Sequence, residues 1–135
     1  YIPEVQGVFT GALTFATKFT VGQLLVATRV AKLPADTSKH FKVEYTYNSS
    51  VLNAFRSGTL DIAVDKNADT VTLNDEYDFL GDSANNTNTT RLNFAVSLSD
   101  EDGNANKETV IIEATNPTPN ANDTATITFK VRSIA

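Results

Sequence analysis

The chain of 135 residues has no cysteine, no methionine and no tryptophan, and a single histidine, His40. Without cysteine there are no disulfides, no thiolate zinc sites and no cysteine nucleophile, and the usual clue to redox compartment is missing. With one histidine and no thiol, neither an ordinary zinc site nor a Cys–His pair can be assembled, and His40 reads as an ordinary residue at a strand edge. A Ser-His-Asp triad would have to run through His40, and no G-x-S-x-G frame supports one. The absence of tryptophan removes the commonest marker of a sugar-stacking cleft, and most Phe and Tyr residues fall at alternating positions that read as core. Glycoside hydrolysis by a pair of carboxylates is therefore disfavoured.

Long apolar runs are also missing. No stretch approaches the roughly 18 to 20 residues that cross a bilayer, and no charged segment followed by an apolar one opens the chain, so neither a membrane span nor a signal peptide is expected. The first residue, Tyr1, and the lack of any methionine suggest a processed or excised piece of a longer chain. Eleven Lys and Arg stand against sixteen Asp and Glu, a formal net charge of -5, and the cations are scattered singly. Nucleic-acid binding through phosphates is disfavoured by that balance. No segment keeps apolar residues at three- and four-residue spacing for several turns, so no long amphipathic helix is expected; a turn or two at 52–55 is the most that fits. No fixed-period repeat is present, which removes propellers and solenoids.

What the sequence does have is period-two alternation in short runs rich in Val, Ile, Thr, Phe and Tyr. Over 124–132, Ala125, Ile127, Phe129 and Val131 share one face, opposite Thr124, Thr126, Thr128, Lys130 and Arg132. Phe41, Val43, Tyr45 and Tyr47 form a second such face; Leu60, Ile62 and Val64 a third; Leu92, Phe94, Val96 and Leu98 a fourth; Val110, Ile112 and Ala114 a fifth, with Ile111 on the opposite side. The last two runs are expected to pair through a long hairpin connection, Ser99 to Asn106. The segment 116–123, with Pro117 and Pro119, breaks the chain before the final strand. Asp65 to Asp69 turns Val64 back to Val71. Near the start, Leu13, Phe15, Thr17, Phe19 and Val21 alternate, and 24–30 fits either a buried strand or an edge. Seven to nine short strands separated by polar turns predict one all-β domain, an antiparallel β-sandwich that is jelly-roll-like or Ig-like.

Two acidic groups invite a metal reading: Asp75, Glu76, Asp78 and Asp82, and Asp100, Glu101 and Asp102 with Asn104 and Asn106. Clustered carboxylate and amide oxygens suit calcium, and Asp100, Asp102 and Asn104 are the candidate ligands. No Glu follows at the EF-hand distance, so that motif is excluded, and solvated turn residues are the preferred reading. No cofactor is expected. Asn48, Asn85, Asn88 and Asn122 sit in Asn-x-Ser/Thr triplets, meaningful only in a eukaryotic secretory route.

A frame stands out at 41–64. Phe41-Lys42-Val43-Glu44-Tyr45-Thr46-Tyr47 is followed by Arg56-Ser57-Gly58-Thr59-Leu60, then Leu73-Asn74-Asp75-Glu76-Tyr77, and last Ala125-Thr126-Ile127-Thr128-Phe129. In that order, over about two-thirds of the chain, these resemble the C-terminal domain of tail-fibre and related virion proteins of tailed bacteriophages. The chain departs from that pattern in an Asn- and Thr-rich insert, 82–90, and an extended turn, 99–108. The resemblance implies a non-enzymatic, homo-oligomeric virion component, commonly a homotrimer. It would lie on the extracellular surface of the particle and contact other virion proteins and a host cell-surface receptor or glycan. Tail-fibre tip in host attachment, capsid decoration (cement) protein, and Ig- or cadherin-like repeat of a bacterial surface adhesin remain the alternatives. In each, loops carried on a rigid sandwich, here 82–90 and 99–108, are the expected contact surfaces.

Overall fold

A computed structural model describes residues 12–20, 24–35, 40–49, 54–65, 67–68, 70–81, 83, 87–99, 109–116 and 124–134. Eight strands run in order among them: β1 Ala12–Thr20, β2 Thr28–Pro34, β3 His40–Ser49, β4 Ala54–Asp65, β5 Thr70–Phe79, β6 Asn93–Ser99, β7 Thr109–Thr115 and β8 Thr124–Ile134. A one-turn helix, α1 Thr87–Thr90, precedes β6. The strands form two antiparallel sheets, one ordered β1-β8-β3-β4-β5 and the other β2-β7-β6. Their buried faces meet, and the result is the β-sandwich expected from the alternation. First pairs with last and second with seventh, the nesting of a rolled antiparallel ribbon as in jelly rolls. The β3-β4-β5 meander then completes the larger sheet.

The register lines up whole rows of side chains. Val131, Val43 and Leu60 are direct cross-strand neighbours, as are Ile127 and Tyr47, and Phe41 and Ile62. All are fully buried. Each β-branched or aromatic residue packs on the neighbours across the ladder, which is where sheet stability resides. Phe94 of the smaller sheet joins the layers, meeting Tyr45 edge-on at 4.8 Å and Phe129 at 6.4 Å between ring centroids. Such pairs add about 0.5–1.5 kcal/mol to the burial itself.

The expected hairpin between β6 and β7 is present, with Ser99 opposite Thr109, and Asp65 does turn β4 into β5. Its Oδ1 accepts from the backbone N–H groups of Asn67 and Ala68 at 3.0 and 3.2 Å, the local bond that makes Asp a turn residue. β2 lies at the margin of its sheet and ends at Pro34, a place in a sheet where proline is tolerated. Two readings need correction. Ala54 and Phe55 open β4 instead of a helical turn, because they continue the β3 register opposite Ser49 and Asn48; Leu52 and Asn53 lie outside the described residues. Leu24 and Leu25 form a 3₁₀ turn, so the strand starts only at Thr28; the Leu24 side chain is buried while its carbonyl accepts the Asn116 N–H at 2.6 Å. Ile111, on the opposite face from Val110 and Ile112, is buried as well. Val21 lies outside the described residues.

Candidate functional site

Among the described residues the largest fully buried side chain is a charged one, Arg56. Its position follows from strand parity. Arg56, Gly58, Leu60, Ile62 and Val64 share the inner face of β4, as do Tyr45 and Tyr47 on β3 and Val71, Leu73 and Asp75 on β5. A guanidinium placed there must find partners for its rigid fork of donors or cost several kcal/mol. It finds them. Nε donates to the Tyr45 hydroxyl at 2.9 Å. Nη1 donates to the carbonyls of Thr89 and Leu92 at 2.9 and 2.7 Å. Nη2 donates to Asp75 Oδ2 at 2.8 Å. Tyr45 in turn donates to Asp75 Oδ1 at 3.0 Å, and the Tyr77 ring covers the guanidinium at 3.6 Å. Burial is the main cause that pushes the Tyr45 phenol well above its ordinary value, and Asp75 adds to it; the Arg56 charge and hydrogen bond work the other way.

The frame that carries the family resemblance thus becomes one structural centre. Tyr45, Arg56, Gly58, Asp75 and Tyr77 stand on three adjacent strands, with Gly58 directly between Tyr45 and Tyr77. A Cβ on Gly58 would overlap the Glu76 carbonyl oxygen and lie 2.9 Å from both Tyr45 Cε1 and Tyr77 Cβ. Glycine is thus required there by close approach of β5. The centre also ties down the crossover from β5 to β6. Phe55 N donates to Ser83 Oγ at 2.9 Å, Thr89 Oγ1 donates to the Ser83 carbonyl, and Arg56 holds the carbonyls of Thr89 and Leu92. Ser83 and Thr89 are buried. Part of the insert 82–90, expected to be a contact loop, is in this way structural.

On the opposite face of the same sheet lies an open depression of about 750 Å³. Its outward side chains are Glu44, Thr46, Ser57, Thr59, Glu76, Asp78, Thr128 and Lys130. Hydroxyls alternate there with charges, and Glu44, Thr59 and Glu76 form one cross-strand row. The row spaces the two glutamate backbones about 10 Å apart, two strand separations.

The acidic group at 75–78 is divided by strand alternation: Asp75 turns inward to Arg56, whereas Glu76 and Asp78 face solvent. Asp82, Asp100, Asp102 and Asn104 lie outside the described residues. Among the described residues no three His, Asp or Glu side chains are grouped as a metal would need. His40 begins β3, half-exposed, with Nε2 3.8 Å from Asp61 Oδ1. It stands five residues from Tyr45, or about 17 Å along the strand, and on the opposite face of β3. Of the triplet asparagines, Asn48 is exposed on β3. Sequence reading missed Arg56 as an interior residue, although its phase with Leu60 and Ile62, and that of Asp75 with Leu73, placed two opposite charges on the core side of neighbouring strands.

These features define an all-antiparallel β-sandwich stapled by an interior arginine. No known protein family matches the sequence, and no curated protein does either. A solved structure is similar in fold: the tailspike protein of Acinetobacter phage vB_ApiP_P1, at a TM-score of 0.51 and 10% identity. The likeness covers 96% of this chain and 23% of the tailspike chain.

Proposed function

We propose that this chain is a non-enzymatic surface module of a bacteriophage virion, a tail-fibre or tailspike domain acting in host attachment as a homo-oligomer. The observation that carries the reading is the fold shared over nearly the whole chain with a segment of a phage tailspike. The resemblance of the 41–77 and 125–129 runs to virion proteins agrees with it. A non-catalytic role is supported by where the reactive groups stand. Arg56, Asp75 and Tyr45 are engaged with one another, and His40 lies on the opposite face of the sheet.

The test is binding of the purified chain to susceptible bacteria and to empty phage heads. Saturable binding to cells, competing with phage adsorption, is expected. Binding to heads and not to cells would replace the attachment role by capsid decoration. A monomer that binds neither and needs calcium to fold would point to a bacterial adhesin repeat.

A further inference from the structure

The larger sheet carries a division of charge across its width. At one side, β4 and β5 hold Asp61, Asp65, Asp75, Glu76 and Asp78, and their one cation, Arg56, is buried against Asp75. At the centre and beyond it, β3 and β8 hold Lys42, Lys130 and Arg132 against a single acid, Glu44, which lies 3.4 Å from Arg132. Lys42, Lys130 and Arg132 are exposed, as are Glu76 and Asp78. Strand order places β5 and β1 at the two margins, each hydrogen-bonded on one side within this sheet. A ten-residue margin strand such as β5 is a template for pairing unless something blunts it, and charge is the usual device. Here the charge is of one sign. Next to it stand two exposed apolar side chains, Tyr77 at 45% and Leu80 at 67%.

We propose that the acidic β5 margin of one copy docks against the basic outer face of β8 in a second copy, joining identical chains head to tail. Two acidic margins repel one another, so a symmetric β5-to-β5 dimer is disfavoured. The complementary surface is present on the same sheet of the same chain, which makes a second copy the fitting partner. A head-to-tail contact closes into a ring when its rotation allows. Tyr77 and Leu80 supply the apolar area that charge alone would not. The proposal deepens the homo-oligomeric part of the function proposed above by naming its surface. It is read by mass alone, whereas the attachment role is read by cell binding, so either can fail without the other.

The experiment is solution mass by light scattering across a salt series, on the wild-type chain and two charge-reversed variants. One is Glu76→Lys with Asp78→Lys, the other Lys130→Glu with Arg132→Glu. A wild-type oligomer in low salt that dissociates toward 1 M salt is expected, where the screening length falls to about 3 Å. Each variant alone should be monomeric, with unchanged circular dichroism. Mixed, they should associate again, because one then carries cations on both β5 and β8 and the other carboxylates on both. The neutral variants Glu76→Gln with Asp78→Asn and Lys130→Gln with Arg132→Gln guard against misfolding and should lose association while keeping the fold. A wild-type monomer in low salt, an oligomer indifferent to charge reversal, or reversed variants that stay monomeric when mixed would each overturn the proposal.

Discussion

At the scale of single residues, the interior arginine governs what this sandwich tolerates. Removing one partner of a buried charge pair leaves the other uncompensated and costs roughly 3–5 kcal/mol. Arg56→Ala should lower the unfolding free energy from urea denaturation by that much, since it strands Asp75, the Tyr45 hydroxyl and two carbonyls at once. Arg56→Lys should recover little, because a compact ammonium cannot span the separate directions served by Nε, Nη1 and Nη2. Arg56→Met with Asp75→Leu should be less damaging than Arg56→Met alone. A lysine variant that unfolds at the wild-type midpoint would refute the fork. Tyr45 makes a second prediction, in pH. Its folded phenol holds its proton above the ordinary phenol value of 10.0, chiefly through burial. Above that pH the unfolded chain loses a proton that the folded chain retains. The stabilisation is therefore complete below pH 10 and is lost as pH rises through the folded value, at up to about 1.4 kcal/mol per unit. Tyr45→Phe should be less stable at neutral pH, having lost two hydrogen bonds, yet show a shallower alkaline decline in chemical denaturation from pH 9.5 upward.

At the scale of elements, the fit of β5 against β4 turns on a single missing methyl group. Gly58→Ala should separate the two strands at Glu76 and Tyr77 and cost at least about 2 kcal/mol, in line with overpacked cores. Faster amide exchange in β5 than in β3 would locate the damage, whereas uniform exchange would show that the strands had simply shifted. Much of this element plan was legible beforehand. Ala125, Ile127, Phe129 and Val131, or Phe41, Val43 and Tyr45, alternate with polar residues without interruption, and period two has one structural meaning when one face is buried. Less legible were places where the alternation carried an unexpected residue type. Asp75 sits in phase with the core but read as a solvated turn residue, and the phase of Arg56 went unused, because charge is buried only when its partners are present, and those come from β3, β5 and the β5–β6 crossover. The reading of 54–55 as helical failed for a related reason. Local composition there says little, and cross-strand pairing with Asn48 and Ser49 decides. The insert 82–90 looked like a free loop from its Asn and Thr content, yet Ser83 and Thr89 each hydrogen-bond inward.

At the scale of the whole molecule, the remaining question is whether the sandwich needs a metal to hold its ends. Calcium takes six to eight oxygen ligands at close range, and the exposed acids of the larger sheet are dispersed by its geometry. Asp61, Glu76 and Asp78 occupy different cross-strand rows, while Asp75 is committed to Arg56. The crossover that might otherwise call for an ion is tied by Arg56 to two backbone carbonyls. The turn at 99–108 bridges Ser99 and Thr109, which already face one another across the β6–β7 ladder, so the hairpin is closed by backbone pairing before any ligand is added. Chelation should for these reasons leave the thermal unfolding midpoint unchanged within about a degree. The scan is best run in low salt with millimolar chelator and repeated with added calcium. A calcium-dependent rise of several degrees that disappears in Asp100→Asn with Asp102→Asn would assign a cation to that turn and make Asn104 its next ligand to test. Such a rise retained in the double variant would place the cation elsewhere in the chain. Either rise would shift the balance from a virion module toward an adhesin repeat, because in repeats of that kind bound cations stiffen the connections between successive modules.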